Sequence, residues 1–318
     1  MKRLLTTLAI AVAFSAPAFA QDYPNRTVRM IVPFPAGQAS DTISRMVGDE
    51  LSKALGQPVI VENRVGAGGN IGSEAGARAA PDGYTLTVAT AALPISHHVR
   101  RLNFDPAKDF APITLMTVTP LVLIGRQDLP ANSVRELVAY GKANPGKLTF
   151  ASSGVGTSHQ LSGELFKSLA GIDMLHVPYQ GSAQAHVDLM GGRVDVMFDN
   201  IVPVTPHVTQ GRLKALAVTT PERAKSLPNV PTMAESGHPD FEAVAWFGLL
   251  APAGTPQPIV DRLNREITHI LKRPEITERL AGMGAIVVAN SPAEFRSFMQ
   301  AEIDKWGPVV QRANIKVD

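Results

Sequence analysis

Cysteine is absent from this 318-residue sequence. Without a thiol the chain can form no disulfide, thiolate metal site or iron–sulfur cluster, and it has no cysteine nucleophile and no amino-terminal cysteine to carry a lipid. Aromatic residues are also sparse, at 6%. The composition as a whole, 45% hydrophobic and 18% charged, is that of a globular chain long enough for roughly two domains.

An excess of positive charge is missing once the amino terminus is set aside. Residues 1–20 have the features of a secretory signal peptide, with Lys2 and Arg3 before an apolar stretch and an Ala-Phe-Ala cleavage site ending at Ala20. Cleavage there would leave 28 basic and 28 acidic residues and a formal net charge of 0. Such a chain, with no cluster of Lys or Arg, lacks the concentrated positive charge that sequence-independent binding of nucleic acid needs. No later apolar stretch reaches the roughly 20 residues of a transmembrane helix. We expect an exported protein, periplasmic in a Gram-negative host.

Short apolar runs rich in β-branched residues alternate with segments of helical period. Residues 27–32 (TVRMIV) predict a buried strand, and the helix after it has apolar residues spaced by three and four positions, from Ile43 through Ala54 to Leu55. Further predicted elements are strands at 59–61, 84–89, 147–151, 174–177, 194–198 and 215–218 and a helix at 157–170. The alternation predicts an α/β fold with parallel sheets covered by helices.

Two apolar segments, residues 113–125 and 244–251, are long for single strands. They predict crossing strands between two lobes, with residues 22–121 and 247–318 in lobe 1 and residues 122–246 inserted as lobe 2. That division gives a ligand cleft between the lobes and a hinge at the crossings. One large sheet domain is the alternative.

The loop at residues 33–41 (PFPAGQASD) is the first candidate site. It leads from the first strand into a helix, so backbone N–H groups from Gly37 to Asp41 are expected at the sheet edge, where they could bind a carboxylate without a cation. The alternative is an ordinary strand–helix turn in which Ser40 or Asp41 caps the helix.

A second loop of similar design lies at residues 151–160 (ASSGVGTSHQ). Its small residues, including Ser153, Gly154 and Gly156, lead into a helix that begins near Thr157, and hydroxyl and N–H groups again converge on a helix start. One such loop from each lobe predicts two donor-rich helix ends that face each other across the cleft. The alternative is that these residues only cap and turn.

Three further residues are candidates for this cleft. Asp199 follows the predicted strand 194–198, at the strand end where open α/β sheets bind ligands, although it could instead cap the next helix. His159, one turn into its helix, could be an adjustable donor, although a lone histidine there is more often packed or solvated. Thr90, which directly follows the predicted strand 84–89, completes the set.

Enzyme motifs are missing. The GxSxG pattern fails at Ser153 because Ala151 occupies its first glycine position, and GxxxxGKS/T and HExxH do not occur. GAGGNIG, residues 66–72, lacks the GxGxxG spacing and predicts a tight turn before a short helix. The eight histidines show no metal-ligand spacing, so no metal or cofactor is expected. A secreted hydrolase that uses Ser153 with His159 stays as an alternative, weakened by the missing nucleophile elbow and oxyanion hole.

Several motifs together resemble those of the Bug (TctC-like) family, the substrate-binding proteins of tripartite tricarboxylate transporters. They include YPNRTVRMIVPFPAGQASD, LGQPVIVENRVGAGGNIG, NPGKLTFASSGVGTSHQLSGELF, HVPYQGSAQAHVDLMGGRVDVMFDN and WFGLLAPAGTPQPIV. The resemblance runs from Tyr23 to about Lys305. It implies a two-lobed type II periplasmic binding protein, a monomer without enzymatic activity or cofactor, that captures a small carboxylated metabolite and presents it to membrane permease subunits. A sensor that signals the bound acid to a membrane kinase is an alternative.

The resemblance also implies site residues. The family's first-lobe loop corresponds to Pro35, Ala36, Gly37 and Gln38, its second-lobe loop to Ser153, Gly154, Gly156, Thr157 and His159, and the aspartate of its FDN motif to Asp199. Gln38 departs from the family, which usually has glycine after Gly37, so its carboxamide is expected to shrink the pocket or to bond the ligand. Nothing in the composition identifies the acid.

Overall fold

A computed structural model describes residues 23–241, 243–312 and 315 of the chain. The predicted signal peptide, residues 1–20, lies outside this described part.

Strands and helices alternate as the sequence predicts. The strands are β1 (Val28–Val32), β2 (Val59–Asn63), β3 (Thr85–Thr90), β4 (Phe110–Arg126), β5 (Leu148–Ser152), β6 (Met174–Pro178), β7 (Val196–Asn200), β8 (Leu213–Val218), β9 (Val244–Pro252) and β10 (Ile286–Val287). The α-helices are α1 (Ala39–Leu55), α2 (Asn70–Ala77), α3 (Ala92–Val99), α4 (Val134–Ala143), α5 (Ser158–Ala170), α6 (Ser182–Met190), α7 (Ile201–Thr209), α8 (Gln257–Lys272), α9 (Pro274–Gly282) and α10 (Pro292–Arg312). A 3-10 turn at Ala67–Gly69 precedes α2.

Helix α1 shows how the sequence pattern becomes structure. Its apolar stripe, which includes Ile43, Val47 and Leu51, is fully buried, as the spacing predicts. Ala54 also fits the spacing but is exposed, because it lies at the edge of the stripe. Gly56 ends the helix in the left-handed conformation (φ 67°), which glycine adopts without steric cost.

The strands form two sheets of the same order. In the first, β2, β1 and β3 are parallel, and β9 and then β4 follow, each antiparallel to its neighbour. In the second, β6, β5 and β7 are parallel, and β4 and then β8 follow in the same way. The short β10 adds to β4 at the edge. The carboxyl ends of β1 and β5 therefore occupy equivalent places in the two sheets.

Strand β4 belongs to both sheets and joins them into one continuous sheet. Its Pro120 pairs with Val244 of β9 in the first sheet, and the next residue, Leu121, pairs with Asn200 of β7 in the second. Strand β9 begins at this crossing point and stays in the first sheet along its length, because it also pairs with β3. The exact lobe boundaries, 22–121 with 247–318 and 122–246, stay a prediction.

The largest cluster of buried apolar side chains is continuous across both sheets, since β4 contributes Met116 on one side of the crossing and Leu123 on the other. In the described part of the chain, no helix is long and apolar enough to cross a membrane. The same residues hold no group of three or more His, Asp or Glu side chains placed to bind a metal ion.

Candidate ligand-binding site

A cavity of about 30 Å³ lies where the loop after β1 meets the loop after β5. That volume holds about two water molecules, since each needs about 10–15 Å³. No Lys, Arg, Asp or Glu is among the described residues that line it. The lining residues are Phe34, Gln38, Ser40, Thr90, Ala91, Ala92, Ser153, Thr157, Ser158, His159, Asn200, Ala245, Trp246 and Phe247.

Two polar groups at the start of α1 have no partner. Gln38 is the N-cap residue, but its side chain makes no capping hydrogen bond, and it is only 6% exposed. Its Nε2 atom and the Oγ atom of Ser40 are buried without a hydrogen-bond partner among the described residues, and both side chains line the cavity. A buried donor left without an acceptor costs about 1–3 kcal/mol. A ligand that brings an acceptor into the cavity would remove this cost.

Asp41 holds the first loop in place and does not line the cavity. Its Oδ2 accepts hydrogen bonds from the Gly37 N–H (2.9 Å) and from Arg45 Nε (3.0 Å), and its Oδ1 accepts one from Asn63 Nδ2 (2.9 Å). Burial would raise the pKa of Asp41, but these bonds hold it below its usual range. The predicted residues Pro35, Ala36 and Gly37 do not line the cavity either, and Ala36 and Gly37 are exposed.

The second loop contributes hydroxyl groups, and its glycine N–H groups are already bonded. The N–H of Gly154 donates to Ser152 Oγ (3.2 Å), and that of Gly156 donates to Gln160 Oε1 (2.8 Å). Neither glycine lines the cavity, although both have positive φ, 134° and 81°. They shape the loop, and the expected cluster of free N–H groups at these two positions does not form.

Thr157 and Ser153 of this loop do line the cavity. Thr157 caps α5 by accepting from the N–H of Gln160, and its hydroxyl donates to the carbonyl of Gly154 (2.7 Å). The Ser153 hydroxyl lies 2.8 Å from His159 Nδ1. Thr90, on the opposite wall, accepts from the N–H of Ala92 (3.3 Å) through its Oγ1.

Asp199 acts on the cavity through His159. Its carboxylate is fully buried outside the cavity wall, and its Oδ1 lies 3.2 Å from His159 Nε2. Oδ1 also accepts from the Ser182 hydroxyl (3.0 Å), and Oδ2 lies 2.6 Å from His186 Nε2. Together these contacts form a buried polar series from His186 through Asp199 and His159 to Ser153.

The charge state of this series follows from its burial. Burial lowers the pKa of His159, and the Asp199 carboxylate opposes this only in part. Burial would raise the pKa of Asp199, but the two imidazoles and the Ser182 hydroxyl hold it below its usual range. At neutral pH Asp199 is therefore ionised and His159 neutral. His159 Nε2 lies between the Asp199 carboxylate and the amide of Asn200, whose Nδ2 is 3.0 Å away. On the other side of the ring, Nδ1 contacts the Ser153 hydroxyl, a group that can donate or accept.

Sequence reasoning missed part of this site. Phe34 and Ser40 lie within the predicted loop but were not singled out as ligand contacts, and Asn200 entered only as the last residue of the FDN motif. Trp246 belongs to a segment predicted only to cross between lobes. His186 lies in the same quoted motif as Asp199, 13 residues before it, but was not singled out, because no local spacing pairs the two side chains.

Comparison with known proteins identifies the architecture. The family described as the tripartite tricarboxylate transporter family receptor matches residues 43–315. The chain belongs to this family. It is 39% identical over 323 aligned positions to the protein BugT of Bordetella pertussis, covering all of this chain and 99% of BugT.

Solved structures agree with this assignment. The periplasmic binding protein BugD superposes with a TM-score of 0.88 at 37% identity, over 93% of this chain and 100% of BugD. A structure of R. palustris Rpa4515 with adipate superposes with a TM-score of 0.90 at 35% identity, over 93% of this chain and 100% of that one.

The family settles three expectations. The fold is that of a two-lobed periplasmic binding protein, as the motifs and the alternation of strands and helices predicted. The protein is a periplasmic solute-binding protein and not an enzyme, because the family and its solved members are solute-binding proteins. The hydrolase alternative is therefore rejected, although Ser153, His159 and Asp199 contact one another in that order.

Proposed function

We propose that this protein captures a small carboxylic acid in the cavity between the loops after β1 and β5. The observation that carries the proposal is the pair of buried donors without acceptors, Gln38 Nε2 and Ser40 Oγ, in a cavity wall without a charged side chain. A carboxylate supplies the missing acceptors. It also gains about 0.3–1 kcal/mol from the positive end of the α1 helix dipole.

The residues of the site divide into two roles. The first set lines the cavity and would contact the ligand. It comprises the predicted residues Gln38, Thr90, Ser153, Thr157 and His159, together with Ser40. A second set would hold the two loops and the His159 imidazole in shape from behind the cavity wall. This set comprises Pro35, Ala36, Gly37, Asp41, Gly154, Gly156 and Asp199.

The setting of the function follows the family. The chain would act as a monomer that delivers its ligand to membrane permease subunits, after export and cleavage behind Ala20. The adipate bound by Rpa4515, a relative in structure, is the kind of ligand proposed. Intact mass of the exported protein tests the cleavage site, and light scattering tests the monomer.

A thermal-shift screen over mono-, di- and tricarboxylates tests the central proposal. A ligand at 100 times its dissociation constant stabilises the folded state by about 2.7 kcal/mol, which is easily measured. We expect at least one acid to raise the melting temperature while its amide does not. Equal stabilisation by acids and their amides, or none by any acid, would contradict the proposal.

A further inference from the structure

A second cavity, of about 510 Å³, adjoins the first and shares Phe34 and Ser153 with it. Its walls come from the segment 66–69 and Arg100 on one side, and from residues of the loop after β5 and the loop after β6 on the other. The first cavity has room for little more than a carboxylate head group, whereas about 300–1,000 Å³ is usual for a small-molecule site. The larger cavity offers space for the remainder of a ligand whose carboxylate is held at α1.

The larger cavity contains a cation without a counterion. Arg100 donates through Nη2 to the carbonyl of Val155 across the cleft (3.3 Å), and its Nε is buried without a partner. Among the described residues no acid pairs with Arg100, and no Asp or Glu lines the cavity. Burial lowers the pKa of Arg100, with no neighbouring carboxylate to raise it again. Leaving a cation partly desolvated and unpaired is costly unless an anion arrives with the ligand.

The glycine-rich turn before α2 makes this arrangement possible. A Cβ on Gly68 would lie 2.5 Å from the Val155 carbonyl oxygen and 3.8 Å from Arg100 Nη2, and Gly68 itself has φ +65°. Only glycine therefore lets the turn approach the Val155 carbonyl, whereas a Cβ would meet Arg100 at an ordinary contact distance. The GAGG segment, which has no dinucleotide-binding spacing, packs here against the carbonyl that the Arg100 guanidinium also contacts.

We propose that the ligand is a dicarboxylate, whose first carboxylate binds at α1 and whose second binds Arg100 in the larger cavity. The inference rests on the proposed function and adds to it the class of acid and the residue that selects it. Arginine suits this role because its planar guanidinium can donate two parallel hydrogen bonds to a carboxylate.

Calorimetry with succinate, glutarate and adipate, each against its monoamide, tests this proposal in buffer without phosphate or sulfate. The proteins are the wild type, Arg100→Gln, and the control Arg101→Gln, which removes the same charge from an exposed neighbour. For at least one chain length we expect wild type and Arg101→Gln to bind the diacid about tenfold or more tightly than its monoamide, as a charge-assisted bond would give. Arg100→Gln should bind the diacid and its monoamide with equal affinity. Arg100→Lys should restore part of the preference for the diacid, and a merely structural role of Arg100 would not give this result.

The outcomes separate the two proposals. A preference for the diacid that survives in Arg100→Gln, or no preference in the wild type, would overturn the role of Arg100 while binding of monocarboxylates still supported the proposed function. Affinity for a monoamide that rises when phosphate or sulfate is added would show that a separate inorganic anion fills the Arg100 site, and would also overturn it. If no diacid, monoamide or monocarboxylate bound the wild type, both proposals would fail.

Discussion

Gln38 and Ser40 explain how a cavity without a charged wall could hold an anion. Each offers a donor that has no acceptor among the described residues, so a carboxylate would remove an existing cost as well as form new bonds. Hydrogen bonds to charged groups contribute about 1.5–3 kcal/mol each, so these two donors supply about 3–6 of the roughly 8 kcal/mol that micromolar binding needs. On the opposite side the Ser153 hydroxyl, held by His159, adds a polar group that can donate to the ligand or accept from it.

Ser40 and Ser44 form a matched pair for testing this account. Both hydroxyls are buried in α1 without a partner, one turn apart, and of the two only Ser40 lines the cavity. We expect Ser40→Ala to weaken carboxylate binding about five- to twentyfold and Ser44→Ala to leave it unchanged, since each loses one hydroxyl but only Ser40 would meet the ligand. Calorimetry with the acid found by the screen measures this. Equal losses in the two variants would remove Ser40 from the site.

His176 gives the stability of the protein a defined pH dependence. Burial lowers the pKa of His176 from 6.5 to about 4. Between pH 6.5 and 4 the unfolded chain therefore binds a proton that the folded chain does not. The free energy of unfolding falls as the pH drops through this range, and below it His176 causes no further change. The effect is at most about 3 kcal/mol.

Urea unfolding of wild type and His176→Gln at pH 7 and pH 4.5 tests this effect. The wild type should lose more free energy of unfolding between the two pH values than the variant, because glutamine does not titrate. Parallel losses would mean that His176 titrates normally in the folded state.

For the two aspartates of the site, the sequence predicts the position in the chain but not the direction of the side chain. Asp41 and Asp199 were both placed at the correct loops, because a strand end followed by a helix start is visible in the sequence. Which way each carboxylate turns depends on distant partners, Asn63 for Asp41 and His186 for Asp199. No local pattern specifies such contacts, so both appeared as ligand candidates although neither lines the cavity.

The starts of α1 and α5 differ in a way that favours one side for the carboxylate. Thr157 caps α5 with its hydroxyl, whereas α1 has no side-chain cap from Gln38. The sequence predicted both helix starts within two residues, since Gly, Pro and Ser mark them locally. It could not predict this difference, which depends on whether the side chain of the capping residue turns toward the backbone or into the cavity.

The loop between β6 and α6 closes over the first loop at Gly181. A Cβ on Gly181 would lie 2.8 Å from Gln38 Nε2 and 2.8 Å from Pro35 Cγ, in the opposite lobe. Its φ of 174° is extended backbone that any residue adopts. Substitution there should therefore hinder the approach of the lobes without straining the chain itself.

We expect Gly181→Ala to weaken ligand binding about tenfold, since overpacking by a methyl group typically costs 1–3 kcal/mol. Gly181→Val should weaken binding further. Gly282→Ala is the control, because a Cβ there meets no atom within 4 Å. Calorimetry gives the affinities and thermal melting the stability of the ligand-free variants. Wild-type affinity in Gly181→Val would show that the loops need not approach this closely.

At the scale of the whole molecule, two sheets of the same strand order share one long strand and one continuous apolar cluster. The alternation along the sequence predicted the elements well, and the length of residues 113–125 predicted the crossing. The position of the crossing at Pro120 and Leu121 depends on pairing with β9 and β7, which are distant in sequence. Sequence periodicity alone does not fix such registers.

The small volume between the loops implies that the lobes must separate for a ligand to enter. A cavity of about 30 Å³ cannot admit an acid from solvent unless the walls move. Solution scattering should therefore give a smaller radius of gyration with saturating ligand than without it. An unchanged profile at saturation would indicate a rigid cleft.

The most direct test of the proposed function is titration calorimetry of the purified protein with the best acid from the screen and with the matching amide. The proposed site predicts one-to-one binding of the acid with a dissociation constant on the order of micromolar or tighter, because two unpaired donors and the start of α1 would bind its carboxylate. The amide should bind at least about tenfold more weakly. Equal affinity for acid and amide would contradict a carboxylate-binding site between these loops.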